Sequence, residues 1–248
     1  MKKIKILNTS ILSISLKELL NSLKSGVLFT PNVDHLMRLQ KDQEFLGIYE
    51  KAEWVVCDSK IVNLAAKYLG EGFKEVIPGS SFLPAYYNFH KDNGNIKIFL
   101  LGAEEGVALK AMKNINSKIG RDIVVGAYSP PFGFEKDVEE CQQIINIIRA
   151  SKANVLVVGL GSPKQEKWID KYKIQLSNVD LFMALGATID FEAGNIKRAP
   201  KLFQATHMEW LYRLMMEPKR LWRRYLIDDL PFFKLIYLQK RQIDKMKQ

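Results

Sequence analysis

Three groups of residues in this chain have the types and spacing for chemistry, and each directly follows a short apolar run. Asp58 follows Trp54-Val55-Val56-Cys57, and Thr30-Pro31-Asn32 follows the run that ends at Phe29. A carboxylate beside a hydroxyl and an amide from a neighbouring segment is suited to taking a proton from an alcohol nucleophile. The same Asp also fits the N-cap of a helix that begins near Ser59. In the third group, Val157-Val158-Gly159-Leu160-Gly161-Ser162-Pro163-Lys164-Gln165-Glu166 reads as a strand, a glycine turn and a helix start. Gly159 and Gly161 allow backbone N–H groups to approach a diphosphate or a nucleotide ribose, with Gln165 and Glu166 just beyond. A structural reading competes, because Ser162 and Gln165 have capping-box spacing and Pro163 fits a first helical position. No GxxxxGK[ST] is present, so the turn is not a P-loop.

Other residues carry weaker signals. Gly102-Ala103-Glu104 and Gly186-Ala187-Thr188 also follow apolar runs, and Gly79-Ser80-Ser81 can touch a sugar hydroxyl or start a helix. Asp190-Phe191-Glu192 has the outline of an acid-x-acid metal site, against a structural role in which Asp190 bonds backbone or Lys197 and Arg198. Two cysteines, Cys57 and Cys141, are too few for a disulfide framework, and His35, His90 and His207 lack metal-ligand spacing. The cysteines point to a reducing, cytoplasmic setting, and no cofactor is expected.

The elements that must position these groups alternate. Gly26 to Phe29, Trp54 to Cys57, Ile96 to Leu101, Ile123 to Gly126, Val155 to Leu160 and Leu181 to Leu185 read as strands. Ile61 to Tyr68, Val107 to Ile119 and Val138 to Ile148 read as amphipathic helices. This rhythm predicts an α/β, Rossmann-like fold, a mainly parallel sheet with helices on both faces. In such sheets ligands gather at the carboxyl ends of the strands, where Thr30-Pro31-Asn32, Asp58-Ser59, Gly102-Ala103-Glu104, Gly161 to Glu166 and Gly186-Ala187-Thr188 fall. The N-terminal MKKIKILNTSILSISLKELL reads as a first strand and helix; its apolar stretch is interrupted by Lys5 and Asn8 to Ser10 and has no cleavage site. No run approaches a membrane span.

Charge is distributed unevenly. From Lys197 onward there are 13 Lys and Arg against 5 Asp and Glu, so +8 of the chain's net +10 lies in this region. The division expected is a catalytic domain over residues 1–196 and a basic helical appendage over 197–248. Trp210, Leu211, Leu214, Met215, Leu221, Trp222, Tyr225 and Leu226 recur at helical steps, Arg213, Arg220 and Arg224 share another face, and Pro218 separates two helices. Such a tail fits an anionic membrane surface, a phosphorylated substrate or nucleic acid.

Taken together, these blocks resemble the WecG/TagA/CpsF glycosyltransferases of bacterial surface polysaccharide and wall teichoic acid synthesis. The resemblance runs from Thr30-Pro31-Asn32 through Asp58, Phe99 to Gly102 and VVGLGSPKQEKW to GATIDFEAGNIKRAP and EWLYRLMMEPKRLWRRYL. It implies a metal-independent, inverting transferase that moves an N-acetylmannosamine-type sugar from a UDP donor to undecaprenyl-diphosphate-linked N-acetylglucosamine at the inner membrane face. It places the catalytic aspartate on Asp58, the active-site threonine and asparagine on Thr30 and Asn32, and a donor-side polar residue on Gln165. It also implies that Arg213, Arg220 and Arg224 help close the site over the nucleotide diphosphate. The expected substrate-binding set is thus Thr30, Asn32, Gly102, Gly159, Gly161, Gln165, Glu166 and these three arginines.

Two departures stand out: Ser59-Lys60 follows the aspartate where the family commonly has Gly, and Val76-Ile77-Pro78-Gly79-Ser80-Ser81 lacks the Arg and second Asp of an Arg-x-x-Gly-x-Asp stretch. Both bear on donor and acceptor identity. A nucleic-acid-binding protein and a non-catalytic membrane scaffold are the readings from other classes, but neither requires a row of polar strand ends on a near-neutral body, so no nucleic-acid partner is expected. Burying an apolar face left by the tail would take a homo-oligomer.

Overall fold

The computed structural model describes residues 1–196, 209–216, 218–223 and 227–246. The chain opens on two antiparallel strands, β1 (Lys3–Ile6) and β2 (Thr9–Leu12), where the sequence suggested one strand and a helix. Leu7 at the turn has a φ of 54°, which lets the chain reverse after four residues. Helix α1 (Leu16–Ser22) follows, opened by a capping box in which Ser15 and Glu18 satisfy each other's backbone N–H.

The body is a six-stranded parallel sheet in the order β4-β3-β8-β7-β5-β6. Its strands are β3 (Gly26–Phe29), β4 (Trp54–Val55), β5 (Ile98–Gly102), β6 (Val124–Tyr128), β7 (Val155–Gly159) and β8 (Leu181–Ala184). All six lie within a residue or two of the apolar runs, because strands covered on both faces have no polar side to interrupt the pattern. A parallel bridge between Leu12 and Val56 attaches the N-terminal hairpin near the β4 edge.

Helices cover both faces as expected. On one lie α2 (Val33–Leu39), α3 (Gln43–Glu50), α4 (Lys60–Leu69), α7 (Val138–Ala150) and α8 (Lys164–Tyr172), packed on Phe29, Val55, Leu101, Val158 and Ala184. On the other, α5 (Gly79–Phe89), α6 (Val107–Ile119) and α9 (Thr188–Ala193) join α1 over Leu28, Val56, Leu100, Val157 and Met183. Alternate residues of each strand thus feed opposite cores. Each fully buried Leu, Ile or Phe contributes on the order of 1.5–3 kcal/mol.

The described part of the tail is helical: α10 (Glu209–Met216), α11 (Pro218–Arg223) and α12 (Pro231–Met246), with Pro218 opening the second as the break between them. Helix α12 packs on α4 and α2, burying Phe232 and Ile236 in the first core. Gln239 ties it to the hairpin, accepting from Leu7 N–H at 2.8 Å and donating to Lys5 C=O at 3.0 Å. Among the described residues no helix is long and apolar enough to cross a membrane.

Candidate functional site

The sheet order brings the strand ends singled out in the sequence onto one edge. Reading across the edge, β4 delivers Asp58, β3 delivers Thr30 and Asn32, β8 delivers Gly186, β7 delivers Gly159 and Gly161, and β5 delivers Gly102. Helix α6 leaves β5 toward one face and α8 leaves β7 toward the other, so a crevice opens between neighbouring strands at this point.

The β4–β3 side presents side chains. Asp58 is partly buried, its N–H bonded to Pro31 C=O at 3.3 Å and its Oδ1 accepting from Gly79 N–H at 2.9 Å. The cap of α4 is Ser59, whose Oγ accepts from Val62 N–H, so Asp58 is not the helix cap that its position allowed. It is held instead by the backbone at the start of α5. Thr30 lies at the same place: a Cβ added to Gly79 would come 3.4 Å from Thr30 Oγ1. Asn32 caps α2, its Oδ1 accepting from His35 N–H at 3.3 Å. Burial pushes the neighbouring Cys57 thiol up to about 12, and that group stays protonated beside the site.

The β7–β5 side presents backbone. A Cβ on Gly102, whose φ is +127°, would meet Gly159 C=O at 2.4 Å, and one on Gly159 would meet Gly186 C=O at 2.7 Å. Only glycine lets these three strand ends approach so closely. Ala103 N–H donates to Gly159 C=O at 3.1 Å, and Ser129 Oγ donates to Gly102 C=O at 3.1 Å, which fixes the β6 end alongside.

The capping box expected of Ser162 and Gln165 does not form. Helix α8 begins at Lys164 with Pro163 as its cap, and Ser162 Oγ is buried with no hydrogen-bond partner. Gln165 turns inward because its amide is matched to the sheet: Oε1 accepts from Gly186 N–H at 3.0 Å and Nε2 donates to Glu166 Oε1 at 3.0 Å. Both side chains are buried, Gln165 at 3% and Glu166 at 1% exposure.

A buried histidine joins this group. His35 Nε2 lies 3.4 Å from Glu166 Oε1, and its Nδ1 lies 2.8 Å from Asn32 Oδ1. Metal-ligand spacing alone passes over His35; its place three residues after Asn32, the capping-box interval, was the available signal. Gly79 as the partner of Asp58 had no local signal at all, being 21 residues away.

Asp190-Phe191-Glu192 lies within α9. Glu192 Oε2 accepts from Tyr87 Oη at 3.0 Å and pairs with Lys118 Nζ at 3.0 Å, which locks α9 onto α5 and α6. Among the described residues no three His, Cys, Asp or Glu side chains form a metal-holding group. Lys197, Arg198 and Arg224 lie outside the described residues; Arg213 and Arg220 are carried on α10 and α11.

The description "Glycosyl transferase WecG/TagA/CpsF family" belongs to a family model that matches residues 4–246. This chain belongs to that family. Among its relatives, a protein of Bacillus spizizenii is 28% identical over 203 residues, 82% of this chain and 76% of the relative. One of Staphylococcus aureus is 28% identical over 221 residues, 89% of this chain and 83% of the relative. Both bear the name N-acetylglucosaminyldiphosphoundecaprenol N-acetyl-beta-D-mannosaminyltransferase. Residues 4–246 include the whole strand edge, so the glycosyl-transfer site of this family member is sought there.

Proposed function

We propose that this glycosyltransferase moves an N-acetylmannosamine-type sugar from UDP to undecaprenyl-diphosphate-linked N-acetylglucosamine, with inversion at the anomeric carbon. The observation that carries this reading is the placement of Asp58: a carboxylate held by Gly79 N–H, beside Thr30, on the edge that also bears the glycine-lined crevice. The names of the two relatives supply the sugar and the acceptor.

In this mechanism Asp58 accepts the proton of the attacking acceptor hydroxyl as that oxygen bonds to the anomeric carbon. The bond from that carbon to the UDP oxygen breaks on the opposite face, and UDP leaves with the electron pair. One displacement inverts the centre and needs no covalent intermediate. The developing charge on the diphosphate is met by backbone N–H groups around Gly102, Gly159 and Gly161 and by Arg213, Arg220 and Arg224, without a metal ion. Thr30 and Asn32 contact substrate on the Asp58 side, and Gln165 lies on the donor side.

The lipid acceptor puts the enzyme at a membrane, and the +8 tail suits peripheral docking on the anionic inner leaflet, where each basic residue contributes about 1 kcal/mol. Ser59 and the Val76–Ser81 stretch make the donor the part most in need of measurement. A panel of UDP-sugars, assayed on a lipid-diphosphate N-acetylglucosamine acceptor with and without EDTA, tests sugar and metal together. Turnover of UDP-N-acetylmannosamine that survives chelation is the expected result. Loss of turnover on chelation would overturn the metal-free reading, and preference for another donor would replace the sugar.

A further inference from the structure

A chain of polar contacts crosses three neighbouring strand ends inside the protein. It starts at Gly186 N–H after β8, which donates to Gln165 Oε1 at the head of α8, after β7. It continues from Gln165 Nε2 to Glu166 Oε1, then to His35 Nε2 at 3.4 Å, and from His35 Nδ1 to Asn32 Oδ1 at 2.8 Å, after β3. Since β8 lies between β7 and β3 in the sheet, the chain spans the edge from the backbone side of the crevice to the side-chain side.

Its composition is hard to explain by stability. Glu166 is 1% exposed, His35 is 9% exposed, and Glu166 Oε2 is buried without a hydrogen-bond partner. Buried charged pairs are commonly no more stabilising than apolar residues of the same size, and an unpaired buried oxygen costs further. The hydroxyl of Tyr49 is orphaned and fully buried too, and burial with the charges of Glu166, Asp58 and Asp34 pushes its titration well up. A leucine-filled pocket would avoid all of this. What such a pocket would lack is a hold on Asn32.

That hold is specific. Asn32 Oδ1 accepts from His35 N–H as the cap of α2, and His35 Nδ1 meets Asn32 twice, at 2.8 Å from Oδ1 and as the acceptor of Asn32 N–H at 3.3 Å. The ring is then pinned at one nitrogen by Asn32 and faces Glu166 with the other. Turning the ring would break the contact with Asn32 and leave both Glu166 oxygens without His35.

We infer that Glu166 and His35 are positioning residues, which set the carboxamide of Asn32 in register with Gly186 so that the two sides of the crevice keep one geometry. The inference rests on the reading of Asn32 and Asp58 as facing the reacting groups. Neither Glu166 nor His35 touches substrate in this account.

Steady-state kinetics with UDP-N-acetylmannosamine and a short-chain lipid-diphosphate N-acetylglucosamine distinguish this from a structural role. Glu166→Ala is expected to lower kcat by on the order of 10²-fold, the cost of a misplacement near 1 Å, with KM for the donor little changed. Glu166→Gln keeps the shape and the oxygen that Gln165 bonds, and restores kcat to within about tenfold of the starting enzyme; it also serves if the alanine variant does not fold. Asn32→Ala with Glu166→Ala should be no slower than Asn32→Ala alone, because both act through one group. A Glu166→Ala enzyme with full kcat, a lower melting temperature only, or effects that multiply with Asn32→Ala overturns the inference. Asp58→Asn is run beside them: if it stays active the reading of the site itself fails, whereas an inactive Asp58→Asn beside a fully active Glu166→Ala rejects the positioning pair alone.

Discussion

The two sides of the strand edge solve different problems with different atoms. At β4 and β3 the proposed working groups are side chains, Asp58, Thr30 and Asn32, with Asp58 held by Gly79 N–H from a distant segment and Asn32 held as the cap of α2. At β8, β7 and β5 the working surface is backbone, and glycines bring three strands within the distance that any Cβ would occupy. A side-chain site tolerates substitution structurally and fails chemically. The glycine site should do the reverse, failing in structure before chemistry can be measured.

The comparison is most sharply tested by Asp58→Asn, which should lower turnover by about 10²–10⁴-fold, the range for a lost general base, while thermal unfolding stays close to that of the native protein. A large fall in melting temperature there would blur the distinction. Next in size, Gly102→Ala forces a Cβ to 2.4 Å from Gly159 C=O at a φ of +127°. Overpacking and left-handed strain of about 1–3 kcal/mol each should combine in denaturant unfolding, and unchanged stability would mean that the strand ends can part. Tyr87→Phe removes one donor to Glu192, and a loss of about 1 kcal/mol with full activity is expected because this pair lies away from the edge. Lost activity in that variant would bring α9 into the site.

The smallest effect concerns Cys57, adjacent to Asp58. Its thiol is raised to about 12 by burial, so the folded state holds its proton above the ordinary value of 9.0. Its contribution to stability is therefore complete below pH 9 and declines as pH rises toward 12. Thiol reagents at neutral pH should leave Cys57 unmodified in the folded enzyme, and rapid modification without unfolding would show that the β4 end opens.

Much of this was readable in the residues because parallel strands covered on both faces appear as unbroken apolar runs. Val107–Ile119 was bounded correctly, since its amphipathic repeat ends at Gly120 in a left-handed cap. Local pattern misled where tertiary contacts outcompeted it. Ser162 and Gln165 have the spacing of a capping box, yet the Gln165 amide bonds Gly186 N–H from another strand. Asp58 suits an N-cap, yet Gly79 N–H takes its carboxylate and leaves Ser59 to cap the helix. Both outcomes depend on strand order, which no window of sequence contains. His35 was hidden for the same reason, as Glu166 lies 131 positions later in the chain and meets it only across β8.

The central claim is that Asp58 acts on the acceptor's proton and leaves donor binding to the glycine side. Titrating UDP-N-acetylmannosamine into Asp58→Asn by calorimetry measures this directly. Donor affinity within about threefold of the native enzyme, under about 1 kcal/mol, is expected in a variant that has lost its turnover. Affinity that falls in parallel with turnover would contradict it, placing Asp58 in donor binding instead of proton transfer.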